Sequence, residues 1–327
     1  MAIVLTDNEF FSGLTNLALF MRIYATNTSK KADDFVDSFM TDILERGNQK
    51  LFPYADLPSV GDYSETSSLL TVTKNTVGEE AIKVDQKKVI KASYSAYILD
   101  AAFTSETGMN DFIGYLLGLM ESAKTAYLYD VIINDLFTKE FGPGSGAAAK
   151  QLHSVNMISL TGLTSLADIN GAESRNAKNL VEAIQTDIDN IQVYNTGYNK
   201  KGLKEAVDWK DLRVVILAKY RYKEVVEVLA SLLNSDQIEN DFDKPDLLVV
   251  PEIKVPENRT QEIAWIMHKA AYQLFYKFVV NGSFFDVSNL CVNHFLHFWY
   301  GKGWLDALPV CKLIKNEQPL VVESAEA

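Results

Sequence analysis

Three residues whose side chains commonly bind transition metals lie close together near the end of the chain. In the stretch CVNHFLHFWY at residues 291–300, a cysteine and two histidines follow the spacing Cys291-x-x-His294-x-x-His297. Thiolate sulfur and imidazole nitrogen are ligands that zinc prefers in proteins, so this spacing raises the question of a zinc site. Whether the three side chains can converge on one ion depends on the backbone that carries them.

The residues around these candidate ligands predict a β-strand, and a strand separates them. Valine, phenylalanine, tryptophan and tyrosine dominate residues 292–301, as is typical of strands. Side chains alternate between the two faces of a strand, so Cys291 and His297 share one face while His294 points the other way. On a helix the three would fan over about 120°. We therefore predict a packed aromatic strand here, with no metal and no cofactor.

Other patterns that accompany catalysis or phosphate binding are weak in this sequence. His153 and His268 are isolated, and we predict no functional role for either. The glycines of FGPGSGAAAK at 141–150 lack the Gly-Lys-Ser/Thr ending of a phosphate loop and predict a linker. The acidic pairs at 33–34 and 79–80 suit solvated surfaces, and serine-hydrolase, zinc-protease and dinucleotide motifs do not occur. The sequence therefore predicts no catalytic residues and no enzyme.

Composition narrows the class of protein further. The chain has 327 residues, of which 47% are hydrophobic and 23% charged, as in soluble globular proteins. A net charge of -12 disfavours tight binding of nucleic acid, and no apolar run approaches the roughly 18 residues of a membrane-spanning helix. The first residues do not resemble a signal peptide, and two cysteines cannot build a disulfide framework. We expect an intracellular protein.

The N-terminal part predicts two helices followed by a connector. Residues 7–24 and 31–46 have helical apolar spacing, and Gly47 is typical of the residue that ends a helix. The apolar positions of the second helix are Phe35, Phe39 and Ile43. Two prolines and a glycine at 51–64 then interrupt regular structure.

Residues 67–91 predict a long β-hairpin. β-Branched residues alternate with polar ones on both sides of a turn-like segment at 77–81. The predicted hairpin has too few apolar residues to bury a sheet of its own, so we expect it to lie on a neighbouring molecule. The predicted assembly contacts at its tip are Val77, Gly78, Glu79, Glu80 and Ala81.

A long helix and a mixed lobe are predicted to follow. Residues 108–138 form a helix of roughly 46 Å at 1.5 Å per residue, with its apolar stripe at Met109, Phe112, Ile113, Leu116, Met120, Ala123, Tyr127 and Val131. Further helices are predicted at 173–192 and 220–233. Predicted strands are 154–160, 212–218, 247–253, 262–268, 271–280, 292–301 and 308–314. Their order indicates a mixed α/β lobe.

This order of elements resembles the major capsid protein of tailed bacteriophages with the Hong Kong 97 fold, particularly the short capsid proteins of podoviruses. YILDAAFTSETGMNDFIGYLLGLMESAKTAYLYDVI at 97–132 is similar to the entry of the family's spine helix. DLRVVILAKYRYKEVVEVLASLLN at 211–234 is similar to the start of its axial domain. GSFFDVSNLCVNHFLHFWYGKGWLDALPVCKLI at 282–314 is similar to its closing aromatic strand and the strand that returns to the peripheral domain.

The resemblance implies an α+β, Hong Kong 97-like fold with five parts. These are an N-terminal arm (1–55), an extended loop (56–100), a peripheral domain with the spine helix 108–138 (101–211), an axial domain (212–300) and a return strand with the C-terminal tail (301–327). It also implies a structural protein that self-assembles, as hexamers and pentamers, into an icosahedral shell enclosing phage DNA. No covalent cross-linking site is carried over.

The same resemblance implies partners and a location. The chain is expected in the virion capsid and to be made in the cytoplasm of the host bacterium. Scaffold, portal and decoration proteins are implied partners, together with weak non-specific contact with packaged DNA and no membrane. Two other functions remain open from sequence: the shell of an encapsulin-like nanocompartment, and an unrecognised α/β enzyme.

Overall fold

A computed structural model describes residues 30–58, 60, 77–95, 106–141, 150–160, 165–220 and 246–318. Within these residues the chain forms three α-helices and ten β-strands. The predicted helices 7–24 and 220–233, the linker glycines and the first arm of the predicted hairpin lie entirely or largely outside the described residues.

Among the described residues, the three helices lie within the first 192 positions, and the last six strands follow one another without an intervening α-helix. The helices are α1 (Lys30–Phe39), α2 (Glu106–Thr138) and α3 (Leu166–Gln192). The first strands are β1 (Gln49–Ala55), β2 (Val77–Lys83), β3 (Gln86–Ser95), β4 (Leu152–Ile158) and β5 (Leu212–Leu217). The later strands are β6 (Asp246–Val250), β7 (Glu262–His268), β8 (Tyr272–Asp286), β9 (Cys291–Trp304) and β10 (Val310–Gln318).

The strands form three sheets, and two compact units divide the chain. The sheets have the orders β1-β2, β3-β9-β8 and β4-β10-β7-β5-β6. Unit 1 comprises Met1–Lys50, Ile82–Asn134 and Gln273–Gly303, and unit 2 comprises Leu51–Ala81, Asp135–Tyr272 and Trp304–Ala327.

In unit 1, α2 covers one face of the three-stranded sheet. The even-numbered residues of β9 from His294 to Tyr300 are buried on this face. Tyr127 of α2 lies against Phe298 and Tyr300, with its hydroxyl oxygen 3.0 Å from that of Tyr300. A glycine at 301 is required because a Cβ there would meet the Phe275 ring. The opposite face of the sheet carries the odd-numbered residues of β9 and is more exposed.

In unit 2, α3 packs on one face of the five-stranded sheet. β10 runs parallel to β4 and antiparallel to β7, while β5 runs antiparallel to β7 and parallel to β6. The apolar side chains of α3 are buried against alternate residues of these strands, as the helical spacing predicted. They are Leu180, Ala183, Ile184, Ile188 and Ile191.

Two predicted helix boundaries were wrong. α1 ends at Phe39, not at 46, because Met40 bridges to Leu274 and the chain continues beside β8, leaving Ile43 64% exposed. α3 begins at Leu166, seven residues before the predicted start, because the helix continues through Gly171, where no neighbouring atom lies within 4 Å of an added Cβ. Gly47 has the predicted positive φ of 77°, but it lies beyond the helix end.

The long helix α2 confirms the prediction, but its apolar stripe was partly misplaced. Ala123 is exposed, and Tyr127 and Val131 are only half-buried. The side chains of Met109, Phe112, Ile113 and Leu116 lie outside the described part. Met120 is buried as predicted, and the other buried positions are Leu128, Ile132, Ile133, Leu136 and Phe137. A helix that is apolar on most of its circumference has no single apolar side, so its packing partners decide which residues are buried.

The turn of the hairpin predicted at 67–91 was wrong, while its first arm lies outside the described residues. Residues 77–81 do not form a turn, because they belong to strand β2, which pairs with β1. Val84 and Asp85 separate β2 from β3, and β3 pairs with β9. A local alternation of residues does not specify the partner strand, which here is distant in sequence for β3.

The C-terminal strands were predicted more accurately. β7 has the predicted bounds and β5 differs by one residue, whereas β8, β9 and β10 extend beyond their predicted ends. β6 ends at Val250, before a 3-10 turn at Glu252–Lys254. Among the described residues, none of the helices combines the length and apolar character that crossing a bilayer requires.

Candidate assembly surfaces and a buried polar cluster

Strand β9 places the three candidate metal ligands as predicted, on opposite faces. His294 is 9% exposed on the face that α2 covers, stacks on Tyr94, and has Nε2 3.3 Å from the Tyr94 hydroxyl. Cys291 and His297 lie on the other face, since strand residues alternate. Across the described ranges, no group of three or more His, Cys, Asp or Glu residues is placed to hold a metal ion.

The other face of this sheet is lined by lysines and aromatic rings. Lys87 pairs across the strands with Trp299, and its Nζ lies 4.5 Å from the centre of the indole ring. Lys91 pairs with Phe295 at 5.6 Å in the same way. Such cation–π contacts hold lysine ammonium groups near the sheet without neutralising them. We call this surface, residues Lys87, Val89, Lys91, Phe295, His297 and Trp299, the open face.

The tip of the β8–β9 hairpin exposes apolar side chains on both faces of its ribbon. Every residue from 278 to 285 is exposed, although adjacent strand residues point in opposite directions. The exposed apolar side chains of this tip, residues 278–290, are Phe278, Val279, Val280, Phe284, Phe285, Val287 and Leu290. Soluble monomers rarely display a contiguous apolar surface of this kind, so it is a candidate protein contact.

The end of the hairpin is organised by one carboxylate. Asp286 accepts hydrogen bonds from the backbone N–H and the hydroxyl of Ser288, at 2.9 and 2.6 Å, and from the Asn289 amide at 2.9 Å. These hydrogen bonds lower the pKa of Asp286. The turn is therefore held by local polar contacts while its apolar side chains remain outside.

The predicted contacts at 77–81 are spread over both sides of strand β2. Val77 is 71% exposed, whereas Glu80 accepts a 3.3 Å hydrogen bond from the Ala307 N–H and pairs with Lys201 at 3.4 Å. Gly78 lies so close to the Tyr54 ring that a Cβ would overlap the phenol, which explains the glycine. Removing 77–81 would therefore take a strand from the protein's own fold.

A buried carboxylate in unit 2 was missed by sequence reasoning. Asp187 on α3 is 4% exposed and lies 2.7 Å from His153 Nδ1, while it accepts hydrogen bonds from the Tyr198 hydroxyl at 2.9 Å and the Cys311 thiol at 3.4 Å. The prediction that His153 is isolated was therefore wrong. Its partner is 34 residues away, and only the packing of α3 against β4 brings them together.

This cluster has the chemistry of a structural network. Complete burial raises the pKa of the Cys311 thiol well above its usual value, and the neighbouring Asp187 raises it further. A thiol that stays protonated is a poor nucleophile. Tyr198 is likewise kept protonated, because burial and then Asp187 raise its pKa. The four residues are suited to fixing α3 on the sheet.

The cluster predicts a pH dependence of stability. The hydrogen bond to Asp187 raises the pKa of His153 above 6.5, against the opposing effect of burial. Protonated His153 therefore stabilises the fold fully below pH 6.5, and this contribution is lost as pH rises through the raised pKa. Urea unfolding between about pH 6 and about pH 8.5 should show a falling midpoint that His153→Gln flattens. An unchanged slope in His153→Gln would contradict this.

His268 contributes a pH dependence of stability with the opposite sign. Burial lowers its pKa below 6.5, so its neutral form is favoured in the folded state. Its effect on stability is confined to pH values below 6.5, where stability rises with pH. The two histidines therefore act in different pH windows and with opposite sign.

Comparison with solved structures shows which fold the chain has. The capsid structure of Staphylococcus phage Andhra matches with a TM-score of 0.62 and 9% identity, over 84% of this chain and 83% of that one. The capsid structure of the cyanophage P-SCSP1u matches with a TM-score of 0.55 and 15% identity, over 87% of this chain and 88% of that one. The mature capsid of bacteriophage PhiM1 matches with a TM-score of 0.51 and 11% identity, over 86% of each chain. The chain therefore has the fold of phage capsid subunits, consistent with the Hong Kong 97-like fold expected from sequence.

A family model makes the assignment specific. The model of the Phi29-like phage major capsid protein matches residues 7–314, so the chain belongs to that family. The comparison with curated protein sequences returned no match. The protein is thus a structural subunit of a phage capsid shell, it self-assembles, and its place is the virion capsid, as the sequence had predicted.

Proposed function

We propose that this chain is the repeating subunit of a closed icosahedral head, arranged as hexamers and pentamers, that encloses the phage DNA. The family match over residues 7–314 carries this proposal. It favours a phage head over an encapsulin-like nanocompartment, and it supports a role without enzymatic activity.

The proposal includes partners and lattice roles that follow from the family. Scaffold, portal and decoration proteins would contact the shell, and packaged DNA would touch it weakly and without sequence preference. Synthesis in the host bacterial cytoplasm and the absence of a membrane partner belong to the same proposal. The five-part division stays a prediction, with an arm at 1–55, a loop at 56–100, a peripheral domain at 101–211, an axial domain at 212–300 and a return strand at 301–327. The two compact units divide the chain at other residues.

Two surfaces are the candidate contacts between subunits. The hairpin tip at 278–290 exposes seven large apolar side chains, and burying them on a neighbour would stabilise the shell. Each phenylalanine contributes about 1.5–3 kcal/mol when fully buried. Strand β2 is the second, weaker candidate, because Val77 is 71% exposed while Glu80 is engaged within the chain.

A single substitution tests the hairpin tip. Phe284→Asp should leave folding intact, because Phe284 is 64% exposed, but should abolish closed particles in negative-stain micrographs of the purified protein. A closed lattice repeats every contact, so a loss of about 2 kcal/mol per interface is multiplied over the shell. Wild-type protein should form shells under the same crowded conditions.

The matched control is Tyr194→Asp, which alters an aromatic residue of 62% exposure outside the hairpin and should assemble normally. Circular dichroism melting verifies that both variants fold. If Phe284→Asp forms shells as readily as Tyr194→Asp, the hairpin tip is not an assembly contact. If the wild type forms none under any crowding condition, the proposed shell loses its support.

A further inference from the structure

The three-stranded sheet of unit 1 has a charge opposite to that of the chain. The whole protein has 43 acidic and 31 basic residues. Strands β3, β8 and β9 together contain a single carboxylate, Asp286, which its own turn engages. The same strands contain five lysines: Lys87, Lys88, Lys91, Lys277 and Lys302. These three strands therefore carry a net positive charge, whereas the whole protein is acidic.

Two of these lysines, Lys87 and Lys91, lie on the open face. Lys87, Val89 and Lys91 alternate along β3 and are all exposed, while Trp299 and Phe295 lie beneath the two ammonium groups. Among the described residues, neither lysine lies in an ion pair with a carboxylate. An exposed cationic face that is also partly apolar suits an acidic protein surface, which can cover both parts.

Helix α1 begins with the exposed Lys30 and Lys31, and its three aspartates follow toward the middle of the helix. Asp33, Asp34 and Asp37 are exposed, and within the described ranges no lysine or arginine pairs with them. Phe35, Val36 and Phe39 are buried, which fixes the helix so that its carboxylates face outward. We call Asp33, Asp34 and Asp37 the acidic face of α1.

We infer that the open face of one subunit binds the acidic face of α1 of a second copy of this chain. This inference rests on the proposed shell function. Two different complementary surfaces on one chain produce a head-to-tail contact, which forms a ring when the rotation between successive copies closes. Val89 at 42% and Phe278 at 42% exposure lie among the cations and would be covered by a protein partner, whereas a DNA backbone would leave them in water.

Charge reversal tests the contact. Lys87→Glu/Lys91→Glu should reduce the yield of particles from the full chain by at least about tenfold while leaving circular dichroism melting unchanged. Adding Asp33→Lys/Asp34→Lys to that variant should restore most of the yield, because the charges are complementary again. Lys178→Glu/Lys204→Glu changes the net charge equally in unit 2 and is the control. Wild-type assembly should weaken as sodium chloride rises, since exposed charges are screened.

The outcomes separate this inference from the proposed function. If the wild type forms no particles, the proposed function fails. If the wild type assembles and the reversed lysines assemble equally well, or if the aspartate reversal restores nothing, the inference alone is overturned. Fluorescence anisotropy with a short DNA duplex measures whether the open face binds DNA, which is the alternative partner. Loss of DNA binding with normal assembly would show that the open face meets nucleic acid and would overturn the contact between copies.

Discussion

Replacing Met120 by aspartate is expected to abolish soluble folding of the protein. Met120 is 3% exposed on α2, so the new carboxylate would be buried without a partner. That burial costs several kcal/mol, against a total stability of about 5–15 kcal/mol for a typical domain. The measurement is the fraction of expressed protein that remains soluble, followed by circular dichroism of that fraction.

The neighbouring residue supplies the control for this experiment. Leu119 is 43% exposed on the same helix, and Leu119→Asp introduces the same charge one position away. This variant should remain soluble with a melting temperature close to that of the wild type. Soluble, assembling Met120→Asp protein would show that the buried side of α2 is assigned to the wrong residues.

Breaking the buried ion pair of unit 2 should have the second largest effect. Lys312 Nζ lies 2.6 Å from Glu262 Oε1, and the two side chains are 4% and 5% exposed. Burial lowers the pKa of Lys312 and raises that of Glu262, so both charges depend on each other. Lys312→Met leaves Glu262 with only Arg259, whose Nη1 lies 3.5 Å from Oε1 and whose side chain is 34% exposed. The free energy of unfolding should therefore fall by about 3 kcal/mol.

Urea unfolding measures this loss as a lower midpoint, and two variants control it. Lys315→Met removes a lysine from the same strand whose partner, Glu317, is 48% exposed, so it should cost less than about 1 kcal/mol. Adding Glu262→Gln to Lys312→Met removes the carboxylate charge that Lys312 no longer balances, so part of the lost stability should return. Equal midpoints for Lys312→Met and Lys315→Met would contradict the burial of this pair.

The types of elements could be predicted wherever a strong local period exists. The apolar spacing of 108–138 predicted α2, and the aromatic alternation of 292–301 predicted β9 and the separation of His294 from Cys291 and His297. These inferences depend only on side-chain direction within one element. The resemblance added the fold class and the capsid function, which the comparisons confirmed.

Most of the errors concern which distant residues a strand, a helix or a side chain contacts. Nothing in the alternation of 67–91 revealed that β2 would pair with β1 and β3 with β9, because strand pairing is decided by residues far away in sequence. His153 looked isolated for the same reason, since Asp187 and Cys311 reach it only in the folded unit. The stripe of α2 shifted because a mostly apolar helix can bury more than one side.

The sequence by itself determined the elements, the acidic net charge and the family of this protein, because composition and short-range periodicity are properties of the chain. Only the tertiary structure decided which surfaces remain for assembly. It gathered the lysines of β3 over the rings of β9 and left the apolar tip of β8–β9 uncovered by the described residues. Burial and exposure result from contacts between distant residues, and no local pattern contains them.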